Sequence, residues 1–407
     1  MESMRSLLAV LILLFSVAGF AQDTADAAKR SIATVEALLR ERPEDPTLWF
    51  YLARAQARAH DTKACVAALE RAEALGEGFL PARDLGFANV WDDRAFQAVR
   101  ERMQAKLPRL DFAPTAFELE DRGLLPEGIA YDAPSRDFFL GSLAEHRIVR
   151  VNAERAVSEF AGASAGLDAI LGLAVDAPRR TLYAVSTSAL TDAGAKSPRN
   201  AIFAFDVDSG RLLRRVELPQ AAQLNDVAVA PGGAAVYTSD SGSGAVFEVP
   251  ARGAPRVVVP AGALRGSNGL AVSADGRRLY VAHAFGLAVV DLADGAMKRV
   301  AIPPRATVAA IDGLYTWQDG LVGVQNSTTP GRVIVMTLSH DGESVTRVQT
   351  LLSHHHPVLN EPTTGALTAD GFFLLAATGV THLGRDGRVE HPESVPKPAV
   401  LRVPLPR

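Results

Sequence analysis

The sequence predicts an all-β six-bladed β-propeller that carries a small N-terminal α-helical domain. Three observations lead there. A short motif of one variable residue, usually Gly, then an apolar residue recurs six times ahead of a β-forming run, with first residues Glu127, Leu171, Asn225, Asn268, Asp312 and Thr364. From about residue 110, short runs of β-formers alternate with Gly, Pro, Asp and Asn, the pattern of an antiparallel all-β fold. Before that, residues 23–106 are rich in Ala, Leu, Arg and Glu and read as helices.

The motif spacings are 44, 54, 43, 44 and 52 residues. Self-similarity at that period marks units that are each a small sheet, and six such units close into a propeller. Blade four shows the strand order best: GLAVSA, RLYVAH, LAVVDL and MKRVAI, with the turns DGR and ADG and the loop AFG between them. Blade two repeats it with LGLAVD, TLYAVS, AIFAFDV and LLRRVEL. The Asp-Gly and Ser-Gly turns supply residues that tolerate positive φ. Blade six is short of one strand, because TGALTAD, FFLLAAT and AVLRVPL leave no sequence for a fourth. TAFELEDRG (115–123) is the expected donor, so the two ends of the domain would pair and close the ring. Residues 379–398 are then a long insertion between two strands.

The expected domain order is a signal peptide over 1–21, a helical region over 22–107 and the propeller over 108–407. Residues 1–21 have Arg5, an apolar run of about fourteen residues and small residues ending at Ala21, the parts of a secretory signal. A membrane anchor is the other reading, but the run is shorter than the ~20 residues a span needs. No membrane span is expected once the signal is removed, and the mature chain is expected to be periplasmic or secreted. Cys65 is the only cysteine, so packing and ring closure must do what disulfides do in many exported proteins. A net charge of −4 with no Lys/Arg cluster excludes a nucleic-acid partner.

Within the helical region, Trp49, Leu52, Ala53, Cys65, Leu69 and Ala72 stand at the offsets of a 34-residue helix–turn–helix unit. This resembles a tetratricopeptide repeat, with Gln56 where that repeat usually has Tyr. Residues 26–41 read as half of a preceding repeat and 92–103 as a closing helix. So few repeats are expected to pack on the propeller or to present a docking surface for a protein partner.

The first strand of a propeller blade is innermost, so the first motif residue is axial. Glu127, Asn225, Asn268 and Asp312 bring two carboxylates and two amide carbonyls to one axis. Such hard oxygen donors, without His or Cys, suit Ca²⁺ better than Zn²⁺ or Cu²⁺, although another divalent cation would also be accepted. The alternative is that each of these residues only caps a strand or turn.

LPEGIAYD, LNDVAVAPGGAAVYTSD, SNGLAVSADGRRLYVA and IDGLYTWQDGLVGVQN together resemble the senescence marker protein/gluconolactonase family, related to regucalcin and more distantly to the paraoxonases, over roughly residues 115–407. The resemblance implies a six-bladed propeller with an axial Ca²⁺ and hydrolysis of lactones or related esters. It implies metal ligation by Glu127, Asn268 and Asp312, and metal or substrate contact by Asn225. It makes Asp312 the candidate general base for attack of water on a lactone carbonyl polarised by the metal. Leu171 stands where paraoxonases place a histidine proposed as catalytic, so that dyad does not transfer.

The strand order puts the loops 186–200, 239–244, 283–286, 326–331 and 352–363 and the 379–398 insertion on the face of the site. His283 and Asn326 are therefore candidate substrate contacts. His283 and the run His354–His356 either shuttle protons near neutral pH or pack in turns, and the triple His is also a conceivable adventitious metal site. GASAG (162–166), DVDSGRLLRRVE (206–217) and Asn326-Ser327-Thr328 match a nucleophile elbow, a calcium loop and a glycosylation acceptor in spelling only. The rival functional reading is a non-enzymatic propeller scaffold that binds a protein or glycan and has a structural metal. A strictosidine-synthase-like propeller is a third, which would lack much of the Glu/Asn/Asn/Asp set.

Overall fold

The structure is a computed structural model that describes residues 25–75, 79–192, 197–326, 331–353 and 355–406. The expected signal segment lies outside the described residues. Among the described residues no helix is long and apolar enough to cross a membrane.

Among the described residues four α-helices precede the sheets: α1 (Ala25–Glu41), α2 (Pro46–Arg58), α3 (Thr62–Leu75) and α4 (Arg94–Ala105). Helix α2 starts where the sequence can supply a cap: Asp45 Oδ1 accepts from the N–H groups of Thr47 and Leu48 at 2.9 and 3.4 Å, and Pro46 fills the first turn. Leu52, Ala53, Cys65, Leu69 and Ala72 are buried together with Phe50, Phe79, Phe87 and Phe96. The Phe50 and Phe79 rings stack 5.0 Å apart. Gln56, the departure from the repeat pattern, leaves its Oε1 buried without a partner among the described residues.

Among the described residues the propeller has twenty-four strands in six four-stranded antiparallel sheets. Strand β1 (Thr115–Glu118) precedes blade one, which is β2 (Pro126–Asp132), β3 (Asp137–Ser142), β4 (Ile148–Val151) and β5 (Val157–Ala161). Blade two is β6 (Ala169–Asp176), β7 (Thr181–Thr187), β8 (Asn200–Asp206) and β9 (Leu212–Glu217). Blade three is β10 (Leu224–Val229), β11 (Ala235–Asp240), β12 (Val246–Pro250) and β13 (Arg256–Val259). Blade four is β14 (Leu270–Val272), β15 (Arg278–His283), β16 (Gly286–Asp291) and β17 (Met297–Arg299). Blade five is β18 (Ile311–Trp317), β19 (Gly320–Gln325), β20 (Arg332–Leu338) and β21 (Val345–Leu352). Blade six is β22 (Gly365–Thr368), β23 (Gly371–Ala377), β24 (Ala399–Val403) and, outermost, β1.

Ring closure by the N-terminal strand is as the sequence predicts. Thr115, Phe117 and Glu118 pair with Leu401, Val400 and Ala399. Apolar residues alternate into layers between neighbouring blades, and the outermost strands are the most exposed, as β9 and β17 show. GASAG forms a single 3₁₀ turn between β5 and β6, without the strand-to-helix elbow a nucleophilic Ser would need. DVDSGRLLRRVE is a β8–β9 hairpin in which Asp206 Oδ1 accepts from Ser209 N and Oγ.

The helical region docks on blade four. Ala284 and Phe285, in the loop between β15 and β16, belong to the same apolar cluster as the helices. Tyr51 meets the Phe285 ring edge-on at 6.0 Å, and Arg42 Nη1 donates to Phe285 O at 3.1 Å. The connection from helix α4 to β1 is held separately. Ser353 N and Oγ donate to Leu110 O and Pro108 O, and rings of His355 and His356 sit at hydrogen-bonding distance from Pro108 O and Ala113 O. Two of the three clustered histidines thus pin the interdomain linker; His354 lies outside the described residues.

Candidate functional site

The first motif residue stands outside the regular strand register in every blade. Pairing slips between Pro126 and Gly128, between Ile170 and Leu173, between Leu224 and Val227, and between Ile311 and Leu314, which brackets the motif in blades one, two, three and five. In blades four and six the innermost strand starts only after the first motif residue, at Leu270 and Gly365. A bulge re-aims the side chain it carries, and four bulges at equivalent places gather their side chains around one axis. The motif glycines let the backbones crowd there. A Cβ on Gly128 would lie 1.9 Å from Leu171 O, and one on Gly269 would lie 2.4 Å from Asp312 O.

Glu127, Asn268 and Asp312 are all buried. Asp312 is the hub of the described contacts: Asn268 Nδ2 donates to its Oδ1 at 2.8 Å and Asn326 Nδ2 to its Oδ2 at 2.5 Å. The Glu127 backbone is fixed from blade six, where Thr363 Oγ1 and Thr364 Oγ1 both donate to Glu127 O at 2.7 Å. Asn225 is half-buried and its Nδ2 donates to Ser241 Oγ at 3.0 Å. Two acceptors are left over: Glu127 Oε2 and Asn268 Oδ1 are buried and have no hydrogen-bond donor among the described residues.

Electrostatics point the same way. Burial, then the charges of Asp312 and Asp226, raise the Glu127 carboxyl well above the ordinary range. Burial pushes Asp312 up to about 7 against the pull of its two amide donors. Burial also pushes Asp226 up to about 7, with the Leu270 and Val227 N–H groups opposing and Asp312 adding to the rise. Three carboxyls whose ionisation is suppressed by burial, in Glu127 and Asp226 also by the Asp312 charge, beside two donorless oxygens, form a set that a cation would satisfy. Among the described residues no three acid, His or Cys side chains converge closely enough to hold a metal by themselves. A cation would therefore draw on the amide oxygens as well, which is the donor set hard cations accept.

Asp226 and Tyr315 escaped the sequence reading. Asp226 occupies the slot that is Gly in the other five copies, and that departure was the available signal. Tyr315 lies three residues beyond Asp312 on the same inner strand; its hydroxyl accepts from Gly365 N at 2.8 Å, and burial followed by the Asp226, Glu127 and Asp312 charges raise its phenol. Leu171 faces an apolar sector instead. It shares a cluster with Leu125, Val185 and Val395, the last from the 379–398 insertion, so the site has an acidic arc and an apolar arc.

His283 stands level with the motif, since Asn268 N donates to Ala282 O at 2.9 Å. Its ring is occupied: Nδ1 accepts from Phe285 N at 3.3 Å, and burial, then Arg42 and Arg299, lower its pKa to about 4. A histidine held there is neutral at neutral pH and lies at the junction with the helices.

Fold and site together define a six-bladed propeller with an oxygen-rich axial centre. Residues 125–357, more than half of the chain, match the family model for the SMP-30/Gluconolactonase/LRE-like region, and the chain belongs to that family. Its members generally bind a divalent metal. Among solved structures, the allergen Mala s 1 of Malassezia sympodialis shares the fold, with 16% identity over 70% of this chain and 96% of its own and a TM-score of 0.55. The gluconolactonase XC5397 of Xanthomonas campestris aligns over 73% of this chain and 91% of its own, with 18% identity and a TM-score of 0.47. No curated protein matches the chain by sequence.

Proposed function

We propose that the chain is an exported hydrolase of lactones or related carboxylic esters, working with a divalent cation, Ca²⁺ by its donor chemistry. The observation that carries this reading is the meeting of Glu127, Asn268 and Asp312 at the axis with Glu127 Oε2 and Asn268 Oδ1 lacking donors among the described residues, in a member of the gluconolactonase-like family. Glu127, Asn225, Asn268 and Asp312 would hold the cation. When bound, it would polarise the substrate carbonyl and offset the negative charge that develops on its oxygen.

The chain's own residues divide the remaining work. Asp312, oriented by Asn268 and Asn326, would take a proton from the attacking water. Asn225, on the same rim, contacts the substrate's oxygens. The Leu171 sector, roofed by the insertion, receives the apolar part of the ring or leaving group and keeps water off it. Localisation in the periplasm or outside the cell follows from the N-terminal segment's composition.

The test is a panel of lactones and aryl esters assayed with and without chelator on the wild type, Glu127→Gln and Asp312→Asn. Chelation and Glu127→Gln are expected to abolish turnover, and Asp312→Asn to lower it about 100-fold or more, the usual scale for loss of a general base. Bound cation with no turnover of any panel member would favour a scaffold with a structural metal.

A further inference from the structure

The motif glycines at four blade junctions make room for a neighbour's backbone. Hypothetical Cβ atoms would stand 1.9 Å from Leu171 O at Gly128, 2.7 Å from Asp226 Cα at Gly172, 2.4 Å from Asp312 O at Gly269 and 3.1 Å from Thr364 Cα at Gly313. Blades one and two, two and three, four and five, and five and six therefore abut directly at the axis. Between blades three and four the motif carries a side chain, that of Asp226. It is buried; its Oδ1 accepts from its neighbour Val227 N at 2.8 Å, and its Oδ2 accepts from Leu270 N, in the next blade, at 3.0 Å.

The candidate ligand Asn268 stands at this junction. Strand β14 begins at Leu270, and the two residues before it are tied to β15, with Asn268 N donating to Ala282 O and Ala282 N to Gly269 O, both at 2.9 Å. The residue before them is tied to blade three, with Ser241 Oγ donating to Ser267 O at 2.7 Å and Ser267 Oγ to Asp240 O at 3.1 Å. The residue after them is tied by Asp226. Asn268, bonded through its own N–H to β15, thus has both flanking residues, Ser267 and Leu270, tied to blade three while its Nδ2 reaches forward to Asp312 in blade five.

We propose that Asp226 is a positioning residue of the axial centre: its carboxylate bridges blades three and four at Leu270 N and so fixes the direction of Asn268, and through Asn268 that of Asp312. It carries no ligand itself. Its effect is to spare the site a search among Asn268 conformers, because a group that orients a ligand contributes to affinity although it never touches the ion. The proposal rests on the cation reading above, but the bridge can be tested without it.

CaCl₂ is titrated calorimetrically into the metal-free full chain and amide exchange is followed across 265–275, in wild type, Asp226→Asn, Asp226→Ala and Thr316→Ala. Thr316→Ala is the control, since Thr316 Oγ1 donates to Val272 O at 2.8 Å and ties blade five to blade four away from the motif. Both Asp226 variants are expected to weaken Ca²⁺ binding about 10-fold or more and to speed exchange at Leu270 before any metal is added. The control is expected to lower Tm with Ca²⁺ affinity unchanged. A folded Asp226→Asn with wild-type affinity and wild-type Leu270 protection overturns the proposal, and this conservative variant decides the matter if Asp226→Ala fails to fold. If the wild type binds no Ca²⁺, the cation reading fails, and unchanged Leu270 exchange in Asp226→Asn then overturns the positioning role by itself.

Discussion

At Asp312 two neutral amides each occupy one carboxylate oxygen, and burial still leaves the group titrating near 7. Asp226 behaves alike for the same reason. The consequence for stability has a definite sign. Both folded values lie above the ordinary 3.8, so between about pH 4 and 7 the metal-free native protein holds protons that the unfolded chain has released. Their contribution to stability is fully present below about pH 4 and is lost as pH rises to about 7. A divalent cation supplies the missing positive charge, so the loss should disappear when it is bound. Melting curves from pH 4 to 8, in chelator and in millimolar CaCl₂, should therefore diverge as pH rises. Parallel curves would show that these carboxyls are not satisfied by a cation. Glu127, Asn268 and Asp312 were legible in the sequence because hard donors in register at a repeating position converge on the ring axis, whatever the lengths of the loops between them. Asp226 was not: the same register made it look like a failed glycine, and only the 3.0 Å bond to Leu270 N gives it a partner in the next blade.

Strands and turns were legible where turn chemistry is strict. The Asp-Gly and Ser-Gly hairpins of blades two and four fall where the sequence puts them, and β1 supplies the strand blade six lacks. The bulges at the motifs were not legible, because the apolar alternation on either side is preserved and the slip falls on the first motif residue, whether polar or, in blade two, Leu171. Nor was the use of the mouth loops. His283 and His355–His356 read as mouth residues that either shuttle protons or pack in turns, and what the sequence did not show was what they pack against: the helical region for His283 and the linker for His355 and His356. The docking of the helical region turns on Phe285, whose side chain enters the helical core and whose carbonyl accepts from Arg42. Truncating a buried Phe costs about 3–5 kcal/mol. Phe285→Ala is expected to release the helices, seen as faster proteolysis between α1 and α3 and a lower first transition, with Ca²⁺ affinity of the propeller retained. A single unshifted transition would mean that the linker, not this contact, holds the helical region in place.

The whole molecule is a ring, and a ring depends on its seam. Five blades are each made of consecutive chain, whereas blade six takes its outer strand from the other end of the domain. The seam is fixed at three radii. At the axis Thr363 and Thr364 donate to Glu127 O. In the middle Phe138 of blade one packs on Phe373 of blade six at 4.9 Å and on Phe117 of β1 at 5.3 Å. At the rim Leu119 N donates to Pro398 O and Arg402 N to Pro114 O. Phe117 joins the borrowed strand to both blades, so Phe117→Ala removes packing from two interfaces at once and weakens the pairing that covers the edge of β24. It is expected to cost about 3 kcal/mol or more and to make denaturant unfolding less cooperative. Val257, on the outer strand of blade three and half exposed, has no seam to hold, and Val257→Ala should stay within about 0.5 kcal/mol. The comparison separates closure from ordinary outer-strand packing, because both residues lie on fourth strands and differ in whose chain segment they bind. Equal small losses would show that the ring is closed by its inner contacts at Glu127 alone. A loss confined to Phe117→Ala, together with weakened Ca²⁺ binding, would show that the axial centre depends on closure by the borrowed strand, since Glu127 is the acidic candidate ligand whose backbone is held across the seam.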